Sequence, residues 1–372
     1  MQFVKPKVRA SVGGSIVKVK WFIVKLLMIG SAVNAQSLKV GVVGLTHDHA
    51  HSVMNQFKKG EVTIVGIVET DVQLIERYKK RYQLAESLFF KSTDDMISKG
   101  KPEAVLAYNA ISEHLAVVEA CAPKGISVMV EKPLATTVKD AERMAALARQ
   151  HNIHVLTNYE TTWYPSNQQV NVMVNDENLI GSIRKMIVHD GHQGPKEIGC
   201  SSEFLAWLTD PVKNGGGALT DFGCYGANLM TWLMKNELPV AITAVTRQIK
   251  PEIYPNVDDD ATILIEYKNA TGIVEASWNW PFGIKDLEVF GTTGYLHALN
   301  GSTLRQRRKD TYDPVTIKPP AYTHNIKYFA DVLNGKVDPA NDLSSLENNL
   351  IVVKILEAAR ESARDGKRIP LR

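Results

Sequence analysis

The chain has only three cysteines in 372 residues (Cys121, Cys200 and Cys224), too few for a disulfide scaffold, and their spacing matches no zinc motif. It has no uninterrupted apolar run near the roughly 20 residues that a bilayer span requires. Glycine (25) and proline (16) are neither rich nor periodic, and hydrophobic residues make up 44%. Collagen, wholesale disorder and a polytopic membrane protein are thereby excluded. Acid is missing from residues 1–35, which carry Lys5, Lys7, Arg9, Lys18, Lys20 and Lys25. Beyond them 37 basic residues face 40 acidic ones, so the formal charge of +3 belongs to one end. No basic stripe remains that would read as a nucleic-acid footprint.

That basic end has the three parts of a secretory leader. A basic, polar stretch precedes the apolar residues 21–30 (WFIVKLLMIG), which Lys25 interrupts, and Val33 and Ala35 stand at −3 and −1 of a cleavage site. No cysteine follows for a lipid anchor, and no Arg-Arg pair marks twin-arginine export. The expectation is a Sec-type leader over 1–35 and a periplasmic or secreted mature chain without a membrane span.

From Leu38 short apolar runs alternate with amphipathic stretches. Leu38–Leu45, Val62–Glu69, Ala104–Tyr108, Ser127–Glu131 and His154–Asn158 read as strands. Helices are expected at His49–Lys59, Val72–Tyr82, Glu113–Lys124 and Val138–His151. Buried strands joined by helical crossovers mean a parallel sheet covered on both faces, so 36–158 is expected to be a doubly wound, Rossmann-type α/β domain. After Asn158 the pattern changes. A helix near Pro165–Asn175, a strand at Ile183–Asp190 and a long helix over Ala218–Lys235 lead into strands recurring between Ala241 and Asn300. Strands in succession predict a mainly antiparallel sheet, making 159–372 an α+β domain. The last helix, Leu343–Asp365, could return to either domain.

The first strand runs into Gly44-Leu45-Thr46-His47-Asp48-His49-Ala50-His51. A dinucleotide-binding turn wants glycines here, so that the backbone can approach a pyrophosphate at a helix N-terminus. Gly44 takes the first such position; Thr46 and His49 stand at the other two. Glu69, 25 residues on, ends the second strand and is placed to accept ribose hydroxyls. Thr70, Asp71, Val72 and Gln73 offer no cation for a 2′-phosphate, which favours NAD over NADP. The same turn has a rival reading, in which His47, His49 and His51 hold a metal as in hydrolases, with His114, His192 or Asp221 completing the set.

Val130-Glu131-Lys132-Pro133-Leu134-Ala135 resembles the Glu-Lys-Pro signature of the glucose–fructose oxidoreductase / inositol dehydrogenase (Gfo/Idh/MocA) family. Asn109–His114 (NAISEH) is similar to that family's loop after the fourth strand. Ile180-Gly181-Ser182-Ile183 is similar to its entry into the second domain. Gly215–Tyr225 (GGGALTDFGCY) resembles its Gly-Gly-Gly…Asp-x-Gly-x-His/Tyr motif, and Val289–Gly294 also matches. The resemblance spans about Leu38 to Leu371. It departs at the first turn, and Tyr225 stands where the family usually has His, as in its glucose–fructose branch. It implies a secreted bacterial member that binds NAD through Gly44, Thr46, His47, His49, Glu69, Asn109, His114, Glu131 and Lys132. Lys132, Asp221 and Tyr225 would carry the chemistry.

Chemistry agrees with that assignment. Oxidising an alcohol removes a hydroxyl proton as hydride leaves for a nicotinamide. Asp221 and Tyr225, at i and i+4, share a face of the expected helix. A nearby Lys132 ammonium is expected to lower the phenol's pKa and to stabilise an alkoxide. Asn158, Tyr159, Trp163 and His192, with Trp278 and Trp280, are candidates for a sugar pocket. The expectation is hydride transfer between NAD and a sugar or glycoside hydroxyl, in a homo-oligomer formed through the second-domain sheet, with no resident metal. The rivals are an NAD-dependent glycoside hydrolase working by oxidation and elimination, a metal-dependent hydrolase, and a non-catalytic sugar-binding protein.

Overall fold

The computed structural model describes residues 37–372, so the expected leader over 1–35 lies outside the described residues. The first half builds a six-stranded sheet from β1 (Lys39–Val43), β2 (Thr63–Val68), β3 (Phe89–Phe90), β4 (Ala104–Ala107), β5 (Ser127–Glu131) and β6 (Val155–Asn158). All pairings are parallel, in the order β3-β2-β1-β4-β5-β6. The connections carry α1 (Ala50–Lys58), α2 (Val72–Tyr82), α3 (Thr93–Gly100), α4 (His114–Cys121) and α5 (Val138–His151). Two apolar layers cover the sheet, as its continuous apolar runs require. Val40 and Val42 pack under α1 and α2, while Val105 and Val128 pack under α4 and α5. The strand order reverses between β1 and β4, which opens a crevice at their carboxyl ends.

The second half places α6 (Pro165–Asn171), α7 (Ser202–Leu208), α8 (Ala218–Asp221) and α9 (Gly223–Leu233) around a nine-stranded sheet. Its strands are β7 (Ile183–Gly191), β8 (Ala241–Arg247), β9 (Asp260–Glu266), β10 (Thr271–Ser277), β11 (Ile284–Gly291), β12 (Tyr295–Asn300), β13 (Thr303–Arg307), β14 (Asp313–Pro314) and β15 (Ile369–Pro370). The order is β14-β13-β12-β11-β7-β10-β9-β8-β15, antiparallel except for the parallel pair β7–β10. The long helix expected over Ala218–Lys235 is two helices, broken at Phe222. α9 is buried along its whole length and lies close on the sheet at Gly226, where a Cβ would meet the Val274 side chain at 2.6 Å.

Two late helices return to the first sheet. α10 (Asn325–Leu333) buries Ile326, Phe329 and Val332 against the α1–α2 layer. α11 (Leu346–Asp365), capped by Ser345, packs on both halves. Its Val353 joins the α4–α5 layer, and Val352, Ile355 and Leu356 join the second core. Residues 37–372 thus form one unit around a shared cleft. Among the described residues no helix is long and apolar enough to cross a membrane, and all three cysteines are free thiols.

Candidate active site

β1 ends in a turn that only glycine fits at its first position. Gly44 sits at φ +79°, and a Cβ there would lie 2.7 Å from that of Asn109. Glu69 ties the turn to the next connection. Its Oε2 accepts from Leu45 N (3.0 Å), and its Oε1 accepts from Thr70 N (2.7 Å) and Asp71 N (3.0 Å). A carboxylate offers about four acceptor positions, so roughly one remains for a ribose hydroxyl. α7 clasps the same turn from the second half. Ser201 N donates to Asp48 Oδ2 (3.1 Å), Trp207 Nε1 donates to Thr46 O (3.4 Å), and the His47 ring lies 4.6 Å from that of Phe204.

The expected trio of histidines is not assembled. His51 turns away to Tyr82 Oη (2.7 Å) and stacks on Tyr78, because it lies on the face of α1 that meets α2. His47, His49 and Glu131 come together instead. Their hydrogen bonds suit a metal badly. His47 Nδ1 accepts from His49 N (3.1 Å), which leaves the ring proton on Nε2. His49 Nδ1 donates to Glu131 Oε2 (2.8 Å), and the other oxygen of Glu131 accepts from Asn158 Nδ2 (2.7 Å). The cluster presents an N–H from His47 and a carboxylate with both oxygens engaged, which leaves His49 Nε2 as its one imidazole lone pair where a metal would want several.

The polar groups around the crevice fit a dinucleotide better. His47 Nε2, Asn109 Oδ1 and His114 Nε2 are buried without a protein partner at the switch-point crevice, where buried polar groups are otherwise paired. Burial holds His47 neutral, well below its ordinary range, and pulls His114 down to about 4. His114 is fixed through its Nδ1 to Leu134 O (3.0 Å).

Across the cleft, β5 delivers Lys132 just before a cis bond to Pro133. Its Nζ donates to Asp221 Oδ1 (2.5 Å) and to Asp221 O (3.0 Å), and both side chains are under 8% exposed. Trp278 Nε1 donates to Asp221 Oδ2 (3.1 Å). Burial works against either charge, but each ion more than offsets it for the other. Asp221 stays below the carboxylate range and Lys132 above the usual ammonium range. The break at Phe222 does not separate the expected pair, because Tyr225 also faces Lys132, with Nζ 4.9 Å from its ring centroid.

Tyr225 departs from expectation in its proton affinity. Burial pushes the phenol well above 10, and the carboxylates of Glu160, Asp190 and Asp221 add to the rise. The net effect therefore opposes the lowering expected from Lys132. Three residues that no motif pointed to share this cleft. Lys285 of β11 lies 4.3 Å from the Tyr225 centroid and pairs with Glu160 Oε2 (2.6 Å). Lys285 outweighs burial and holds Glu160 down to about 2. Asp190, opposite Lys285 in the β11–β7 register, is pushed up to about 7 by burial. Lys285 shares a strand face with the buried Leu287 and Val289, and Asp190 with Met186 and Val188, but that parity says only that they turn inward, and Glu160, in a short turn after β6, carried no such signal.

The sugar-pocket candidates divide. His192 lines a cavity of 420 Å³ with Tyr164, Gly191, Ile284, Lys285 and Asn300, and burial lowers its pKa. Tyr159 is fully buried, edge-on to Tyr225 at 5.5 Å, with no partner for its hydroxyl. Asn158 orients Glu131 and accepts from Trp163 Nε1 (3.0 Å). Trp163 lines a separate cavity of 430 Å³ beside Tyr322 and Tyr328. Trp280 lies against His189, with its N donating to His192 O (3.2 Å).

Known proteins share this architecture. Residues 38–159 match the oxidoreductase family with an NAD-binding Rossmann fold, and residues 168–297 match the GFO/IDH/MocA C-terminal domain. The trans-1,2-dihydrobenzene-1,2-diol dehydrogenase of Sus scrofa is 22% identical over 62% of this chain; the matched stretch spans 65% of that enzyme, just under two thirds. The aldose–aldose oxidoreductase of Caulobacter crescentus, solved with glycerol, superposes with a TM-score of 0.74. It is 21% identical over 90% of this chain and 100% of its own. An inositol dehydrogenase homolog of Azotobacter vinelandii, solved with NAD+, gives 0.75 at 17% identity, over 91% and 98%. With both halves matched in order and the crevice and buried Lys132–Asp221 pair in place, the chain belongs to the GFO/IDH/MocA family of NAD-binding oxidoreductases.

Proposed function

We propose that this protein is an exported oxidoreductase that moves hydride between NAD and a hydroxyl of a sugar or glycoside, with its chemistry at Lys132, Asp221 and Tyr225. The observation that carries the reading is the buried Lys132–Asp221 pair held against the Tyr225 ring. The nicotinamide, when bound, supplies the hydride acceptor; everything else falls to the chain. An ammonium has three N–H donors, and Asp221 engages two, so the third is left for a substrate oxygen. Trp278 and Asp221 fix the direction of that donor. Burial keeps the Tyr225 phenol protonated at rest. It therefore meets a substrate oxygen as a donor, and its deprotonated form, which the reverse direction needs, must be stabilised by nearby cations. His192 and the 420 Å³ cavity beside Lys285 receive the rest of a sugar.

Gly44, Glu69 and Asn109 would hold the dinucleotide, and the absence of a cation after Glu69 favours NAD over NADP. Export rests on the pattern of residues 1–35, and association on the outer face of the β7–β11 sheet, where Ile187 and Ile273 stand half-buried opposite α9. Outside the cytoplasm free NAD is not replenished, which calls for a tightly held cofactor regenerated in place. The test is purification from the exported fraction. Dinucleotide should co-purify, and paired sugars should turn over without added NAD; an apo protein needing continuous NAD would overturn the closed cycle. Release of an aglycone without net redox change would assign the hydrolase chemistry instead.

A further inference from the structure

Lys285 shares its face of β11 with the buried Leu287 and Val289, and its side chain, only 24% exposed, reaches into the cleft. Its Nζ lies 4.3 Å from the centroid of the Tyr225 ring and 5.9 Å from that of Phe222, while Lys132 Nζ lies 4.9 Å from Tyr225. One phenol therefore has two ammonium neighbours. A neutral ring attracts a cation through its quadrupole alone, whereas a phenolate attracts it charge to charge, and far more strongly in a water-poor site. The contact thus favours the deprotonated state over the protonated one.

From this geometry we propose that Lys285 is a positioning residue of the reaction: clamped by Glu160, its ammonium stabilises the deprotonated form of Tyr225 and so sets the proton affinity at which Tyr225 works. The inference rests on the reading of Tyr225 as the proton-exchanging group. An ion pair serving the fold alone would have no need to place Nζ over the ring, and partly exposed pairs contribute little to stability.

The groups that face Tyr225 come from every element around it. Lys132 comes from the end of β5, and Tyr159 and Glu160 from the segment after β6. Asp190 comes from β7, with His192 just beyond it against the neighbouring Phe222 ring, Lys285 from β11, and Asp221 and Cys224 from the phenol's own helices. Burial and the carboxylates raise the phenol. Lys132 and Lys285 are the cations against its ring, and Lys132 is already committed to Asp221 by two hydrogen bonds. Lys285 makes one hydrogen bond, to Glu160, and keeps two N–H groups uncommitted beside the ring.

The test is a direct titration that needs no substrate. A tetrafluorotyrosine placed at 225 in the full mature chain, with a phenol that ionises far below tyrosine's, brings the transition into an accessible range for fluorine NMR. Lys285→Met should raise its midpoint by about one unit or more, the scale of an opposite charge within 4–6 Å. Lys285→Gln should do the same, and stands in if the methionine variant does not fold. Lys285→Arg should leave the midpoint near its starting value, and Glu160→Gln should lower it. An unmoved midpoint in the neutral variants, or an equal rise with arginine, overturns the inference. The reading beneath it fails separately, if Tyr225→Phe keeps its turnover while the titration still responds to Lys285.

Discussion

The β1–α1 turn and the Lys132–Tyr225 cleft bury their polar groups in opposite ways. At the turn and the neighbouring start of α4, imidazoles enter the interior neutral: burial, helped by the nearby His49 and Lys132, takes His47 well below its usual range, and burial takes His114 to about 4. In the cleft, two pairs of charges enter together and stay charged, Lys132–Asp221 and Lys285–Glu160, beside the buried Asp190, which is pushed up to about 7. Neutral donors and acceptors suit a bound group that must be held through many turnovers without changing state. Paired ions suit a place where charge develops and disappears, because preorganised charges need not reorganise when it does. On the proposed function, the two regions divide holding from reacting.

The largest break in this contrast comes from the cleft. Tyr225→Phe should slow the chemical step by roughly 10²–10⁴-fold, the scale of lost acid–base catalysis, with cofactor affinity nearly intact in a binding titration. Asp221→Leu should destabilise the fold by about 3–5 kcal/mol in chemical denaturation, since it leaves the Lys132 ammonium buried without its partner. Adding Lys132→Met to that variant should restore much of the loss; simple additivity of the two would show the ions are not coupled. At the turn, Gly44→Ala should cost about 1–2 kcal/mol for its left-handed backbone and weaken NAD binding through the displacement of Asn109.

The smallest effect is also the one that separates the regions by sign. His114 takes its proton at about 4 when folded and at about 6.5 when unfolded. The unfolded chain therefore holds more protons between those values, and stability rises with pH across that window. Asp190 behaves in reverse: folded at about 7 and unfolded near 4, it makes stability fall as pH rises between them. The two windows overlap and oppose each other, so urea midpoints across that range should fall more steeply with pH in His114→Gln, and rise more steeply in Asp190→Asn, than in the parent protein.

Much of the holding region was legible in the sequence, and less of the reacting one. Continuous apolar runs such as Ser127–Glu131 announce buried parallel strands, and β5 and α5 begin and end where the pattern places them. Lys132, Asp221 and Tyr225 stand in ordered motifs and converge, although the helix expected to align two of them breaks at Phe222. Lys285, Glu160 and Asp190 could not be read in the same way. Their meaning lies in the β11–β7 register and in the approach of the segment after β6: alternation turns Lys285 and Asp190 inward with their apolar neighbours, but does not say which groups they meet there. His51 failed for a related reason: three histidines at alternate positions on a turn and helix start cannot all point one way.

The central claim is that a dinucleotide held at the β1–β4 crevice exchanges hydride with a hydroxyl beside Tyr225. Its most direct test is the near-ultraviolet absorbance of reduced nicotinamide on the mature protein, loaded with NAD and mixed with hexoses, polyols or methyl glycosides. The account predicts that the band appears with at least one of these and is slowed sharply in Tyr225→Phe. NAD failing to bind, or a band that forms equally fast without the phenol, would contradict it.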